Sequence, residues 1–118
     1  CAARLARVEI ELANMRTTNL RVVAAVAGGG APGAESSMLK IRGTQIRQEI
    51  TALNRRAMGP YARPFVAEAL HDGYNAAPIG PEGADSAAAQ YFNNRKLSIY
   101  GGSNEIQKNI ISKMILGL

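Results

Sequence analysis

Leu5, Val8, Leu12 and Met15 recur three or four residues apart, and Val22 and Val26 continue the stripe. Arg4, Arg7, Glu11, Asn14 and Arg21 fall largely off it. This spacing predicts a long amphipathic helix from about Ala2 to Ala27. Glu9 and Glu11 lie near Arg7 and Arg16, which suits an exposed face. "GGGAPGAES", Gly28 to Ser36, ends the pattern, because glycine stops helices and Pro32 cannot continue one. A second apolar face follows in Leu39, Ile46, Ile50, Leu53 and Ala57 and predicts a helix from about Ser37 to Met58, capped by Ser36 or Ser37. Gly43 inside it costs about 1 kcal/mol relative to alanine, which either a close helix–helix approach or simple tolerance would explain.

Residues 59–84 carry Pro60, Pro64, Pro78 and Pro81 and read as irregular, with one short helical turn in "VAEALHD", Val66 to Asp72. Asp85 or Ser86 is positioned to cap a third helix over "AAAQYFNNRKLSIY", which stops at Gly101-Gly102. A fourth helix runs from about Ser103 to the C-terminus, with Ile106, Ile110, Ile111, Met114 and Leu118 on its apolar, core-type side. There is no β-pattern and no internal repeat. Four helices with short or looped links predict an all-α, antiparallel bundle-like fold.

Composition narrows the class. At 118 residues the chain reads as one domain, residues 1–118. Its 47% hydrophobic content is enough to fold, and the core is aliphatic and alanine-rich, since only 5% is aromatic and tryptophan is absent. Cys1 is the single cysteine, which excludes an intrachain disulfide and a cysteine-based metal site, and fits a cytoplasmic location. No apolar stretch reaches transmembrane length and no signal-peptide pattern opens the chain. It also opens in mid-helix sequence without an initiator methionine, which reads as a fragment. The net charge of +5 comes without a dense basic run, so most of it reads as solvated surface, with an anionic partner as the sharper alternative.

Two apparent motifs carry little. Gly28-Gly29-Gly30-Ala31-Pro32-Gly33 matches G-x-G-x-x-G, but a dinucleotide-binding turn needs a strand before it and a helix opening from it. Here the preceding residues continue a helix. His71 has no partner at ligand spacing and reads as a surface residue.

The segment with chemical content is "YGGSNEIQ", Tyr100 to Gln107. Structurally, Gly101 and Gly102 end a helix, Ser103 caps the next, and Glu105 complements its dipole. The same parts can bind: unpaired N–H groups at a helix start hold a phosphate or a developing oxyanion, and glycines admit a ligand to the backbone. Composition alone does not choose between these.

The run "RKLSIYGGSNEIQKNIISKMILGL", Arg95 to Leu118, resembles the C-terminal signature of the flavin-dependent acyl-CoA dehydrogenases. "SSMLKIRGTQIRQEITALNRRAMGPYA", Ser36 to Ala62, resembles the preceding helix and turn of that domain, and "RLARVEIELANMR" the later part of the helix before it. The likeness covers nearly the whole chain except Arg63 to Gly83. In that family an N-terminal helical domain and a β-domain precede a C-terminal four-helix domain. The chain resembles only the last, with the first helix truncated or missing.

The resemblance implies α,β-dehydrogenation of an acyl-CoA thioester in fatty acid metabolism. A carboxylate removes the α-proton and FAD accepts the β-hydrogen as hydride. Electron-transferring flavoprotein is the implied acceptor, and the implied assembly is a homo-oligomer, dimer or tetramer, or else a hetero-oligomer. By the same resemblance Gly101 and Gly102 bind substrate, the N–H of Gly101 polarising the thioester carbonyl, while Ser103, Asn104 and Glu105 meet FAD. Many members place the catalytic glutamate where Gly101 stands, so the base is expected upstream of Cys1, on the domain's first helix; the alternative is a subunit that lacks a base and is partnered by another. The 118-residue segment alone is expected to be inactive. Arg56 stands where the family often has a glutamine beside a neighbouring subunit's FAD.

A different class competes: a helical oligomerisation or DNA-binding module, as in the related alkylation-response flavoprotein. That reading requires lysine and arginine clustered on one face, whereas the sequence scatters them over all four helices. Retention of duplex DNA with a steep salt dependence would support it, and no retention at low salt would remove it.

Overall fold

The first apolar stripe makes the helix it predicts: in the computed structural model, which describes all 118 residues, α1 spans Ala2–Ala27. It ends as the glycines predict, with the N–H groups of Gly28, Gly29 and Gly30 turning back to the carbonyls of Ala24, Val26 and Ala25. The G-x-G-x-x-G match therefore follows a helix and is a connecting loop.

The second helix, α2, spans Glu35–Met58. Neither Ser36 nor Ser37 caps it. The backbone already turns at Gly33 and Ala34, whose carbonyls accept from Ser36 and Met38 at 3.2 Å each, so the serines fall inside the helix and Ser37 is buried. Glu35 in the first turn and Arg55 and Arg56 in the last complement the helix dipole. α1 and α2 run antiparallel: Arg4 pairs with Glu49 at 3.2 Å and Glu11 with Arg42 at 3.0 Å. Their approach is tight at Gly43, where a Cβ would lie 2.9 Å from the Met15 methyl.

The proline-rich stretch holds two short 3-10 turns, Gly59–Ala62 and Ala67–Leu70, the second inside "VAEALHD" as expected. His71 is exposed, and no three His, Cys, Asp or Glu side chains converge on a possible metal site.

The third helix, α3, spans Ala84–Asn93, earlier and shorter than its pattern suggests. Gly83 precedes it in the left-handed region, and the Ser86 hydroxyl donates back to the Gly83 carbonyl at 3.3 Å, so neither Asp85 nor Ser86 caps the helix. Past Asn93 the chain tightens into a 3-10 helix, Asn94–Ser98. The Gln48 side chain is the physical reason for the change: its amide takes the carbonyls of Asn94 and Arg95 at 3.1 and 3.4 Å, supplying partners that α-helical geometry would have given within the segment.

α4 spans Asn104–Ile111 and runs into one π turn, Ser112–Leu116. α2 is the hub, contacting α1, α3, the 3-10 segment after α3, and α4. The fold is thus all-helical, four helices gathered around one of their number.

Its own core is small. Only 13 of 118 residues are buried, chiefly Val8, Ile41, Ile46 and the alanines of α3 that let it approach α2 closely. On α2 the buried Ser37, Ile41, Thr44 and Thr51 share the face opposite the expected stripe, and of that stripe only Ile46 is buried, because neighbours press on α2 from more than one side. Leu39 and Leu53 are half-buried, and Ile50 and Ala57 are exposed. The largest departure is the C-terminal segment, where Ile106 and Ile110 of α4, Met114 of the π turn and Leu118 beyond it are exposed rather than core. Within this chain α4 contacts α2 and the π turn that continues it, so the rest of its apolar side has nothing to cover it.

Candidate functional site

The 3-10 helix after α3 closes with the N–H groups of Ile99 and Tyr100 both reaching the Lys96 carbonyl, at 2.9 and 3.0 Å. The chain must then reverse into α4 within three residues. Gly101 and Gly102 make that possible with φ of +66° and +80°, consecutive left-handed conformations that other residues adopt at a cost of about 1–2 kcal/mol each. Ser103 caps α4, its Oγ accepting the Ile106 N–H at 3.3 Å. The caps expected for α2 and α3 are absent, but this one is formed.

The turn is held from two sides. Lys40, on α2, donates from Nζ to the carbonyl of Gly102 at 2.7 Å and to that of Leu97 at 2.9 Å. The Gln107 side chain, one turn into α4, donates to the carbonyl of Gly101 at 3.3 Å. By contrast, the backbone N–H groups of Gly101, Gly102 and Ser103 donate to no acceptor in the protein. Carbonyls engaged and successive N–H groups free is the polarity an anion or a developing oxyanion needs.

The residues singled out in sequence are brought together here. Gly101, Gly102 and Glu105 are exposed, and Ser103 and Asn104 half-buried. A Cβ at Gly101 would meet nothing within 4 Å, so the side chain absent from this position leaves open space in front of the turn. The Glu105 carboxyl is held below its ordinary value, first by its own backbone N–H and then by the Ser103 hydroxyl. Desolvation opposes them weakly, and Lys108 and Lys40 add smaller pulls. Asn104 is different: its Oδ1 is buried and has no hydrogen-bond partner. Lys40, Gln107 and Gln48 escaped sequence reasoning. The only signal was a polar residue between apolar neighbours, such as Lys40 between Leu39 and Ile41, and that pattern fits a plain solvated position equally well.

Arg56 lies elsewhere, in a cleft of about 580 Å³ that Arg4, Arg55 and Arg63 also line; of the four only Arg4 has a carboxylate partner, Glu49. Arg55 lies over the Tyr91 ring, 4.9 Å from its centroid, which stiffens that guanidinium. Four of the fourteen cations thus line one cleft.

No helix is long and apolar enough to cross a membrane. No curated protein and no solved structure gives a match to this chain. The model of one family, described as the acyl-CoA dehydrogenase C-terminal domain, does match, over residues 1–116. The match takes in all four helices and the glycine turn, and the chain therefore belongs to the acyl-CoA dehydrogenase family, as its C-terminal domain.

Proposed function

We propose that this domain completes a flavoprotein that removes the α- and β-hydrogens of an acyl-CoA thioester. The observation that carries the proposal is the turn at Gly101–Ser103, with its N–H groups free and open space before it. A thioester carbonyl placed against these donors is polarised, and the enolate-like charge that grows on its oxygen as the α-proton leaves is stabilised where it forms. The glycines let the acyl chain pass close to the backbone.

The neighbouring residues fit a flavin. Its ring N–H and ribityl hydroxyls are donors, and the buried Asn104 Oδ1 is an acceptor lacking one. Glu105, kept ionised, accepts from hydroxyls and would repel a diphosphate, so it belongs to the sugar-like part of FAD rather than its phosphates. The Ser103 hydroxyl adds a further polar contact at the same edge. When bound, FAD supplies the hydride acceptor.

Gly101 carries no base. The α-proton must go to a carboxylate outside these residues, and we place it on a helix preceding Cys1. In the family's manner the finished enzyme is an oligomer that passes electrons to electron-transferring flavoprotein. The 118 residues alone supply donors and packing but no base, and are inactive.

The test is anaerobic addition of acyl-CoA to the intact flavoprotein. Bleaching of the flavin absorbance is expected. Replacing the upstream carboxylate by its amide should abolish bleaching with FAD still bound. A protein that is colourless and takes up no FAD ends this reading, and unchanged bleaching in the amide variant ends the assignment of the base.

A further inference from the structure

We propose that Lys40 and Gln107 are positioning residues that aim the N–H groups of the glycine turn. Their effect on a thioester rests on the function proposed above, but the aiming itself does not. In a trans peptide the C=O and the following N–H point in opposite directions. Lys40 holds the Gly102 carbonyl, so it turns the Ser103 N–H away from α2. Gln107 holds the Gly101 carbonyl and so turns the Gly102 N–H away from α4. Two side chains, from two different helices, thus set two successive donors.

Such holding is needed because the turn is made of glycine. Gly101 and Gly102 have no Cβ to restrict them, and each peptide plane between them can flip at little steric cost. Lys40 is suited to prevent it. It is half-buried, pairs with no carboxylate, and spends its ammonium on two main-chain carbonyls. The Leu97 carbonyl has a second donor in the Thr44 hydroxyl at 3.3 Å, whereas the Gly102 carbonyl has only Lys40. A cation on the carbonyl also polarises the peptide it belongs to, making the Ser103 N–H a stronger donor. A lysine that merely closed the preceding 3-10 helix would need only its bond to Leu97.

Two variants of Lys40 and one of Gln107 test this. In the ligand-free chain, K40M is expected to move the amide resonances of Gly102 and Ser103, and K40R to keep them near their original positions. Q107L is expected to move Gly102 more than Ser103. Q107L also covers the case in which K40M fails to fold, since Gln107 reaches the turn from an exposed contact. In the intact flavoprotein the readout is a CoA thioester of a conjugated aryl-acrylic acid, whose absorption shifts to the red when its carbonyl is polarised.

K40M should reduce that shift and lower kcat on the order of tenfold, less than the loss of a whole oxyanion donor, while KM changes less than about threefold. K40R should restore most of both. Turn resonances that stay in place in both K40M and Q107L overturn the proposal. If they move as expected but wild type shows no red shift, the aiming stands and the thioester reading falls.

Discussion

Two surfaces of α2's neighbours could hardly differ more. Along the 3-10 helix after α3, α2 meets carbonyl groups and binds them with polar side chains. Gln48 reaches Asn94, Arg95 and Ser98, Lys40 and Thr44 reach Leu97, and Arg95 returns a bond to the Gln48 carbonyl at 3.2 Å. The outer side of α4 presents Ile106, Ile110 and Met114 to solvent, followed by Ile115, Leu116 and Leu118. The first surface is polar and, apart from the buried Arg95 Nε that has no partner, finished within the chain. The second is apolar and unfinished. Polar seams fix geometry because each bond has a direction; apolar faces supply association energy and accept any partner of the right shape. The glycine turn sits where the two meet, so its backbone inherits direction from one side and adjoins an exposed apolar face on the other.

The largest effect expected of a single change is on the unfinished face. Met114→Asp should weaken the oligomer of the intact flavoprotein by at least about thirtyfold, as charge at the centre of an apolar interface does, read by sedimentation across a concentration series. The helical circular dichroism of the chain itself should not change, because Met114 is already exposed. If the oligomer is indifferent to Met114→Asp, the apolar side of α4 is not an interface and the contrast loses half its meaning.

Next is the polar seam. Gln48→Leu strips the Asn94 and Arg95 carbonyls and the Ser98 hydroxyl of a donor and should cost about 2 kcal/mol in chemical denaturation. A cost near zero would mean that water replaces the glutamine freely and that Gln48 is not what holds the 3-10 helix against α2.

Between the two surfaces, Gly101→Glu sharpens the comparison at the turn. The new side chain has room, so the expected loss is only the left-handed strain, about 1 kcal/mol. A collapse of the fold would show that the space before Gly101 is not open.

Smallest is Glu105. Its carboxyl is lowered in the folded state, so its contribution is fully present above the ordinary value of 4.5 and is lost as pH falls through the lowered one. Glu105→Gln should therefore remove an acid-side dependence of helix content, lie below wild type by a constant amount above about pH 5, and converge with it in acid. A difference between the two proteins that is largest at acid pH and shrinks toward neutral would contradict the direction assigned to this group.

The fold was legible where one physical signal dominated. A stripe over many turns gave α1 residue for residue, and glycine followed by a serine gave the turn and the cap at Ser103. Where neighbours decide, the pattern misled. The serines near Glu35 look like caps but lie inside a helix that the Gly33 and Ala34 carbonyls had already begun. "AAAQYFNNRKLSIY" reads as one helix because nothing in it announces that Gln48, some 46 residues earlier, takes its carbonyls. The apolar side of α4 reads as core because hydrophobicity records that a face is to be covered, not by which molecule. The site divides in the same way. Gly101 to Glu105 are contiguous and visible as a motif, while Lys40 is part of the same turn only in three dimensions.

That distance has a consequence for the order in which the molecule is built. The bonds from Lys40 close stretches of 57 and 62 residues, whereas α1 and α2 are joined by a short loop and can pair early. Closing the longer stretch pays its chain entropy before any of these bonds form, so the α1–α2 hairpin precedes the docking of α3 and α4. The donors of the turn acquire their direction at the last stage of assembly and are among the first groups to lose it on opening. A chain caught halfway would keep most of its helix but could not present these N–H groups to a ligand, so folding and site formation finish in the same event.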